Sequence, residues 1–217
     1  SRRVEKGDLF VCIQGVSSDG HDFAAAALEK GAAAVVCQRD LGLENQVLVP
    51  DTHQAYGKIA ANFYGNPAQK LKLIGVTGTK GKTTVTSLIK AILTRTGQKV
   101  GLIGTIQNEI GDEIIHTENT TPDAMELERL YACMVEAGCE YCVMEVSSHA
   151  LDQERIGDSH YQVAVFTNLS HEHLDYHKDM ESYFQAKKKL FSRCDTAVIN
   201  LDDQYGCRLT KECTCPI

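Results

Sequence analysis

Residues 73–84 read LIGVTGTKGKTT, and this stretch decides the fold. A short apolar run, typical of a buried strand, leads into a glycine-rich loop. Apolar residues then recur at positions 85, 88, 89, 92 and 93, which is the spacing of an amphipathic helix. A strand, a glycine-rich loop and a helix in this order form the setting of a phosphate-binding loop. The sequence therefore predicts a nucleotide-binding unit built around these residues.

The chemistry of this loop follows from the start of the helix. Backbone N–H groups in a first helical turn have no acceptor within the helix, and the helix dipole favours negative charge there. Lys82 would neutralise the β- and γ-phosphates, and Thr83 would offer its hydroxyl to Mg²⁺. The common spacing GxxxxGK(S/T) needs glycine at position 76, where this chain has Val76, so the loop is a variant. The alternative is a glycine-rich turn with a surface lysine.

Strand and helix patterns alternate on both sides of the loop. Before it, short apolar runs predict strands, Asp22 is expected to cap the first helix, and residues 52–63 have helical spacing. The breaker cluster at 64–67 predicts a boundary between domains 1–70 and 71–217. After it, residues 106–115 predict a hairpin around Gly111-Asp112. The predicted class is α/β: a small Rossmann-like amino-terminal domain, then a truncated P-loop-type, mainly parallel sheet with helices on both faces.

Composition excludes several classes of protein. The chain has 217 residues and a net charge of −7, which argues against nucleic-acid and anionic-membrane partners. No apolar run is long enough to span a bilayer, and nothing at the start is typical of a signal peptide. The chain begins with serine, so we expect it to be part of a longer protein.

The nine cysteines predict a reducing compartment, which here means the cytoplasm. Their number is odd, and several lie inside apolar runs, where they act as small buried hydrophobes. Cys213-Thr214-Cys215, with Cys207 nearby, is a weaker candidate for half of a zinc site, because it lacks a paired CxxC.

Two polar groups follow apolar strands. Glu145 lies near the end of the otherwise apolar run 141–146, and a carboxylate there is costly to bury unless it is paired or binds a cation, so Mg²⁺ is the expected partner. Residues 168–177 read NLSHEHLDYH and follow the strand that ends at Thr167. Ligands bind beyond the carboxyl ends of strands in such sheets, so one of these histidines is expected to bind Mg²⁺. The alternatives are a strand-end acid facing water and a solvated polar loop.

A lysine is predicted on the buried face of a helix. Counting back from Phe191, residues 180, 183, 184 and 187 share one face. Lys187 therefore points inward, whereas Lys188 and Lys189 point toward solvent. A buried lysine is rare unless it is paired or chemically altered. The alternative is a side chain that reaches the surface along that face.

Together these residues resemble the Mur ligases of peptidoglycan synthesis, in particular the MurE type, which adds the third amino acid to UDP-N-acetylmuramoyl-L-alanyl-D-glutamate. The resemblance extends over essentially the whole chain. The matching stretches are the start Ser1-Arg2 with 7–10, the loop 78–84, Thr120-Thr121-Pro122, the run 145–149, Gln153 with Arg155, and the run 168–175.

The resemblance implies a role for each matching residue. Lys82, His173 and Lys187 would be catalytic. ATP would lie on the loop residues Gly78, Thr79, Lys80, Gly81, Lys82, Thr83 and Thr84. Mg²⁺ would be held by Thr83, Glu145, His173 and Lys187, the last as a carbamylated lysine. The UDP-muramoyl-dipeptide would contact Ser1, Thr120, Thr121, Ser147, Gln153 and Arg155.

The implied reaction is ATP-dependent amide ligation through an acyl phosphate, with a diamino acid, meso-diaminopimelate or L-lysine, as the incoming amine. The family's third domain, which binds that amine, should follow residue 217, so this chain alone is expected to be inactive and the whole protein monomeric. Three rivals stay open at this stage: another Mur ligase, a ligase like folylpolyglutamate synthetase, and a non-catalytic nucleotide-binding module.

Overall fold

Three short parallel strands form the sheet of the first unit. A computed structural model describes residues 4–15 and 18–217 and divides the chain into two units, 1–59 and 60–217. The strands are paired in the order β1-β2-β3: β1 (Leu9–Val11), β2 (Ala34–Cys37) and β3 (Gln46–Leu48). The helices are α1 (Ala24–Glu29) and α2 (Thr52–Phe63). The division falls within α2, eleven residues before the predicted boundary at 70, which stays a prediction.

The predicted cap of the first helix is wrong. A 3-10 turn, Gly20–Phe23, precedes α1, and Asp19 caps this turn by accepting from the backbone N–H of His21. Asp22 lies inside the turn, and α1 itself begins after Phe23 without a side-chain cap. The capping residue thus lies three residues earlier in the chain than the sequence pattern predicts.

A seven-stranded sheet organises the second unit. Its order is β10-β9-β4-β8-β5-β6-β7, in which the five strands from β10 to β5 are parallel and the hairpin β6–β7 adds antiparallel pairs. The strands are β4 (Lys72–Thr77), β5 (Val100–Ile103), β6 (Asn108–Ile110), β7 (Glu113–Ile115), β8 (Tyr141–Glu145), β9 (Tyr161–Phe166) and β10 (Cys194–Ile199). The predicted hairpin is confirmed.

Helices cover both faces of this sheet. They are α3 (Lys82–Arg95), α4 (Ala124–Glu136), α5 (Ser148–Asp152), α6 (Leu174–His177), α7 (Met180–Lys188) and α8 (Gln204–Glu212). Ile74 belongs to a cluster with residues of α3, whereas its neighbour Leu73 belongs to a cluster with residues of α4 and α7. Successive residues of a strand point to opposite faces, so each cluster fills one side of the sheet. The predicted α/β class is confirmed.

Two further predictions concern membrane-spanning segments and the state of the cysteines. Among residues 4–15 and 18–217, no helix is both long and apolar enough to cross a membrane. The nine cysteines are all free thiols, and five of them are buried.

Candidate active site

The glycine-rich loop connects β4, in the middle of the sheet, to α3. Gly78 has φ +145°, and a Cβ atom there would lie 1.9 Å from Thr167 Oγ1, so only glycine fits. Gly81 precedes α3 with φ +86°, a left-handed conformation that favours glycine. The amides of residues 82–84 lie in the first turn of α3, where the helix provides no acceptor. The loop thus has the backbone geometry of an anion-binding helix start.

Asn168, at the end of the neighbouring strand β9, holds this loop. Its carbonyl oxygen accepts from Thr79 N at 2.9 Å, and its Oδ1 accepts from Lys80 N at 3.0 Å. Its Nδ2 donates back to Lys80 O at 3.0 Å, and Thr167 Oγ1 donates to the same oxygen at 2.8 Å. The amides of residues 79 and 80 are therefore engaged by protein, which leaves the start of α3 as the part of the loop directed at a phosphate.

Lys82 lies across the loop. Its Nζ donates to Gly78 O at 3.0 Å and to Thr79 O at 2.9 Å. Burial lowers the pKa of this amine, while the charges of Glu145 and Glu172 oppose that shift. The loop thus concentrates an ammonium group and the positive end of a helix dipole in one place, as a polyphosphate requires.

Glu145 ends β8 beside the loop and is only 1% exposed. Its Oε1 accepts from Thr83 Oγ1 at 2.9 Å and from Thr105 N at 2.9 Å, and its Oε2 accepts from Thr105 Oγ1 at 3.1 Å. A Cβ atom at Gly104 would lie 2.8 Å from Oε1, so the glycine makes room for the carboxylate. The predicted cation partner fits this buried acid, since its remaining neighbours are hydroxyl and amide donors.

The donor set suits Mg²⁺ held together with a nucleotide. In the part of the chain that the structure describes, no three His, Cys, Asp or Glu side chains converge as a metal site. Mg²⁺ is usually bound through one or two carboxylates together with phosphates and water. Thr83 and Glu145, already in contact, provide a hydroxyl and a carboxylate of this kind.

Lys187 points inward, as the helical spacing predicts, and is 1% exposed. Its Nζ donates to Gly78 O at 2.9 Å and lies 4.7 Å from the centre of the Tyr183 ring. Burial, together with the charge of Lys82, holds the pKa of Lys187 well below its ordinary value, while Glu172 opposes the shift. A neutral amine is thereby favoured beside the phosphate loop. Lys188 is half-buried and pairs with Glu212.

A group of aromatic and imidazole rings surrounds this amine. His173 is exposed, adopts φ 58° just before α6, and lies 5.0 Å from the His149 ring and 6.1 Å from the Tyr183 ring. His177 is buried and stacks on Tyr183 at 5.0 Å. Burial lowers the pKa values of His149 and His177, which favours their neutral forms. Lys187 and His173 thus lie against the same tyrosine ring.

The five described residues of the predicted substrate site form one polar network. Thr121 Oγ1 donates to Glu145 O at 2.8 Å and accepts from Ser147 N at 3.0 Å. Arg155 donates to Thr121 O at 3.2 Å and to Gln153 Oε1 at 2.8 Å. Thr120 Oγ1 lies 3.0 Å from Thr105 Oγ1, which donates to Glu145 Oε2, and this contact connects the network to the Glu145 carboxylate. The sixth predicted residue, Ser1, lies outside the described residues.

Three residues of this site were not singled out from the sequence as site residues. Thr105 holds Glu145, Asn168 holds the loop, and Tyr183 contacts Lys187 while its hydroxyl lies 3.2 Å from Thr79 Oγ1. Asn168 occurs within the resembling run 168–175, which was its only signal. Thr105 gave none, because its partner Glu145 is 40 residues away. The helical spacing placed Tyr183 on one face with Lys187, but it gave no sign of the contact with Thr79, which is 104 residues away.

Comparison with family models decides the family. A model described as "Mur ligase middle domain" matches residues 76–216, and one described as "Mur ligase family, catalytic domain" matches residues 1–64. The chain belongs to the Mur ligase family. The resemblance seen in the sequence is confirmed, and the glycine-rich loop described above lies in the part that matches the middle domain.

Curated Mur ligase relatives are similar over nearly the whole chain. One from Clostridium perfringens, named UDP-N-acetylmuramoyl-L-alanyl-D-glutamate--2,6-diaminopimelate ligase, is 46% identical over 98% of this chain and 44% of its own length. One of the same name from Caldanaerobacter subterraneus is 49% identical over 95% of this chain and 44% of its own length. A solved structure of a ligase of that name has a TM-score of 0.83 and 34% identity, over 97% of this chain and 44% of that one. The chain thus spans less than half the length of these relatives.

Proposed function

We propose that this Mur ligase chain provides the nucleotide site and part of the substrate site of an ATP-dependent amide ligase of peptidoglycan synthesis. The acceptor is UDP-N-acetylmuramoyl-L-alanyl-D-glutamate, and the incoming amine is that of a diamino acid. One observation carries the proposal: the network of Thr120, Thr121, Ser147, Gln153 and Arg155 joins the Glu145 carboxylate beside the phosphate loop. A ligand held by this network would place its carboxylate close to a bound triphosphate.

In the proposed reaction the D-glutamyl carboxylate takes the γ-phosphoryl group of ATP, which gives an acyl phosphate and ADP. The amine of the diamino acid then attacks the acyl carbon, and phosphate leaves. Lys82 and the first amides of α3 would bind the phosphates and balance the charge that develops on them. Thr83 and Glu145 would hold Mg²⁺, which supplies further charge neutralisation when bound. Gln153 and Arg155 would orient the peptide portion of the acceptor.

Lys187 is proposed to react with CO₂. The neutral amine attacks the carbon of CO₂ and loses one proton, which gives a carbamate anion. The depressed pKa favours the amine form that this reaction needs, and it has a physical cause in the burial of the side chain. The resulting anion would serve, with His173, as a ligand for Mg²⁺. The change turns a buried cation, which would repel Mg²⁺, into a group that attracts it.

Carbon-13 NMR tests the carbamate directly. We expect the protein, after equilibration with ¹³C-bicarbonate, to show a carbamate resonance that is absent from the Lys187→Arg variant. Lys188→Arg, one residue along the same helix, is the matched control and should keep the resonance. A spectrum without that resonance, or one unchanged by Lys187→Arg, would contradict the proposal.

The names of the relatives support 2,6-diaminopimelate over L-lysine as the added amino acid. Since the proposed reaction consumes ATP and a UDP-linked sugar, the proposed location is the cytoplasm. The proposed state of the whole protein is a monomer, which light scattering would test.

Calorimetric titration of this chain tests the proposed function. We expect saturable binding of UDP-N-acetylmuramoyl-L-alanyl-D-glutamate and none of a folate, the substrate expected of the rival ligase. Arg155→Ala should weaken binding of the UDP substrate, while Arg193→Ala, which removes an arginine paired with Glu154, serves as the control. Binding of the folate alone would overturn the assignment. Binding of Mg-ATP without either substrate would favour a nucleotide-binding module.

A further inference from the structure

Three cysteine side chains meet at one edge of the large sheet, away from the phosphate loop. Cys194 begins the edge strand β10, while Cys213 and Cys215 follow α8. The Sγ atom of Cys215 lies 3.0 Å from that of Cys213 and 3.4 Å from that of Cys194. Both separations are shorter than the ~3.5–4.0 Å at which non-bonded heavy atoms attract best. Cys215 is therefore in direct contact with two other thiols.

Backbone structure brings these thiols together. Leu209, which is fully buried, packs α8 against the core. The residues that follow α8 then lie beside the earlier strand β10. Ala197 N, on the outer side of that strand, donates to Pro216 O at 2.7 Å. This bond fixes the residue next to Cys215 against the strand that carries Cys194. The cluster thus follows from the path of the chain and does not depend on attraction between sulfur atoms.

The cluster differs from the zinc half-site suggested by the sequence. Cys207 is exposed, and its thiol lies 3.1 Å from Leu201 O, so it is engaged elsewhere. Its place beside Cys213 and Cys215 is taken by Cys194, nineteen residues before Cys213. The weaker candidate, a zinc half-site that includes Cys207, thus does not fit the structure, because the Cys207 side chain lies against the loop before α8.

Access to the cluster is graded. Cys194 is 7% exposed, whereas Cys213 and Cys215 are half-buried. A small reagent can thus reach Cys213 or Cys215, while Cys194 is protected from direct attack. Two accessible sulfurs beside a third that is protected are the arrangement in which a mixed disulfide is resolved within the molecule.

We propose that Cys194, Cys213 and Cys215 form a thiol–disulfide exchange site, in which Cys215 forms a disulfide with one of its two neighbours. The reactant is a low-molecular-weight disulfide such as oxidised glutathione. The Cys215 thiolate attacks one sulfur of the reagent, so that a mixed disulfide forms and one glutathione thiolate leaves. The thiolate of Cys213 or Cys194 then attacks Cys215 Sγ and expels the second glutathione. Two protein thiols are oxidised, one reagent disulfide is reduced, and two glutathione molecules take up the two protons.

The reduced cluster should react slowly. Burial raises the pKa of each of the three thiols, so that at neutral pH only a small fraction is thiolate. Exchange rates follow that fraction, and protein disulfides form over seconds to hours. The proximity of the sulfurs acts in the second step, where the mixed disulfide has a neighbour within contact distance.

Mass spectrometry tests the proposal with the chain as it stands. Reduced protein is incubated with oxidised glutathione, remaining thiols are blocked with a maleimide, and peptides are mapped. We expect a product lighter by two hydrogen atoms, with Cys215 linked to Cys213 or Cys194. Cys215→Ser should lower the yield of internal disulfide by about tenfold or more, since the shared partner is lost. Cys207→Ser, at an exposed thiol outside the cluster, should leave the yield unchanged.

The second pair of variants identifies the partner. Cys213→Ser and Cys194→Ala each remove one neighbour, and melting temperatures verify that the variants are folded. Crosslinking through either neighbour supports the proposal. Stable glutathione adducts on Cys213 or Cys215 without an internal disulfide would overturn it, as would equal yields in Cys215→Ser and the parent chain.

Discussion

Thr105 contacts several groups at this site through both its backbone and its side chain. Its backbone N–H and its hydroxyl both donate to the Glu145 carboxylate, and the hydroxyl also lies 3.0 Å from Thr120 Oγ1. It thereby connects the proposed Mg²⁺ ligand to the proposed substrate network. A metal-ligating side chain that hydrogen bonds already orient loses less conformational freedom when the metal binds.

Replacing Thr105 with valine should weaken Mg²⁺ binding. A hydrogen bond to a charged group contributes about 1.5–3 kcal/mol, so we expect Mg²⁺ to bind about tenfold more weakly or worse. Thr105→Ser keeps the hydroxyl and is the matched control. The measurement is a Mg²⁺ titration of nucleotide binding by calorimetry, and equal affinities in Thr105→Val and Thr105→Ser would contradict the assigned role.

Glu128, on α4, is a buried acid outside the site. It is 4% exposed, its Oε2 has no hydrogen-bond partner among the described residues, and burial raises its pKa to about 7. The folded protein therefore binds more protons here than the unfolded chain between the ordinary pKa of 4.5 and about 7. This group's contribution to stability is present below pH 4.5 and is lost as the pH rises through 7.

Glu128→Gln should thus stabilise the protein at pH 8 and have less effect at pH 5. We expect a gain of about 1–3 kcal/mol in the free energy of unfolding at pH 8, measured by urea denaturation. Glu136→Gln, an exposed residue on the same helix, is the control and should change stability little. A gain of equal size at both pH values would show that ionisation of Glu128 is not the cause.

Local residue patterns predicted some of these environments and missed others. Lys187 was placed correctly because helical spacing depends only on its neighbours along α7. Glu145 was recognised because a charge stood out in an apolar strand. Thr105, by contrast, is a single polar residue in a loop, and its partner Glu145 is 40 residues away. Nothing near Thr105 in the sequence distinguishes it from other exposed threonines.

At the scale of elements, the loop between β4 and α3 depends on glycines that serve different purposes. Gly81, in the loop, and Gly97, after α3, both have a φ of +86° and open space for an added Cβ atom. Gly78 has a φ of +145°, and an added Cβ atom there would collide with Thr167 Oγ1. Alanine substitution can therefore separate backbone strain from steric collision. Gly97 lies beyond the carboxyl end of α3, so a substitution there shows the effect of strain alone.

We expect Gly81→Ala and Gly97→Ala to lower stability by similar amounts, about 1–2 kcal/mol, because both impose a left-handed conformation on alanine. Only Gly81→Ala should also weaken nucleotide binding. Gly78→Ala should cost more stability than either and abolish nucleotide binding, because its Cβ collides with Thr167. Melting temperatures and nucleotide titrations measure the two effects, and a Gly97→Ala variant that bound nucleotide poorly would contradict this division.

Element boundaries show where local signals compete. The span of α2 and the hairpin β6–β7 agree with the sequence patterns, since spacing and turn residues are local. The start of α1 does not, because the chain already winds in the 3-10 turn before it, and Asp19 rather than Asp22 caps that turn by accepting from His21 N. Arg39 lies 3.0 Å from Asp19 and 3.8 Å from Asp22, so this distant contact does not distinguish the two acids.

At the scale of the whole molecule, ligand binding should be visible as stability. A ligand at one hundred times its Kd raises the free energy of unfolding by about 2.7 kcal/mol, provided that it binds only the folded state. We expect Mg-ATP to raise the melting temperature of the parent chain accordingly and to have no such effect on Lys82→Ala. Lys211→Ala, on α8, is the control for loss of a charge. A shift that persists in Lys82→Ala would place the nucleotide elsewhere.

The order of strands in the large sheet could not be predicted from the sequence. The pattern indicated a mainly parallel sheet, but strand order depends on which distant runs pair. β4, β8 and β9 lie side by side although about sixty to ninety residues separate β4 from the other two. The same non-local pairing assembles the site, since its residues come from the ends of different strands.

The contacts that Asn168 makes with the phosphate loop bear on how the protein is synthesised. Lys80 and Asn168 are 88 residues apart, so the segment that contains the loop leaves the ribosome well before its support does. Synthesis proceeds at about 5–20 residues per second, so Asn168 is added several seconds after Lys80. A nascent chain that ends between residues 84 and 168 contains the complete glycine-rich motif but lacks the contacts that Asn168 makes with it. We therefore expect a nascent chain to bind nucleotide only after β9 and Asn168 have been synthesised.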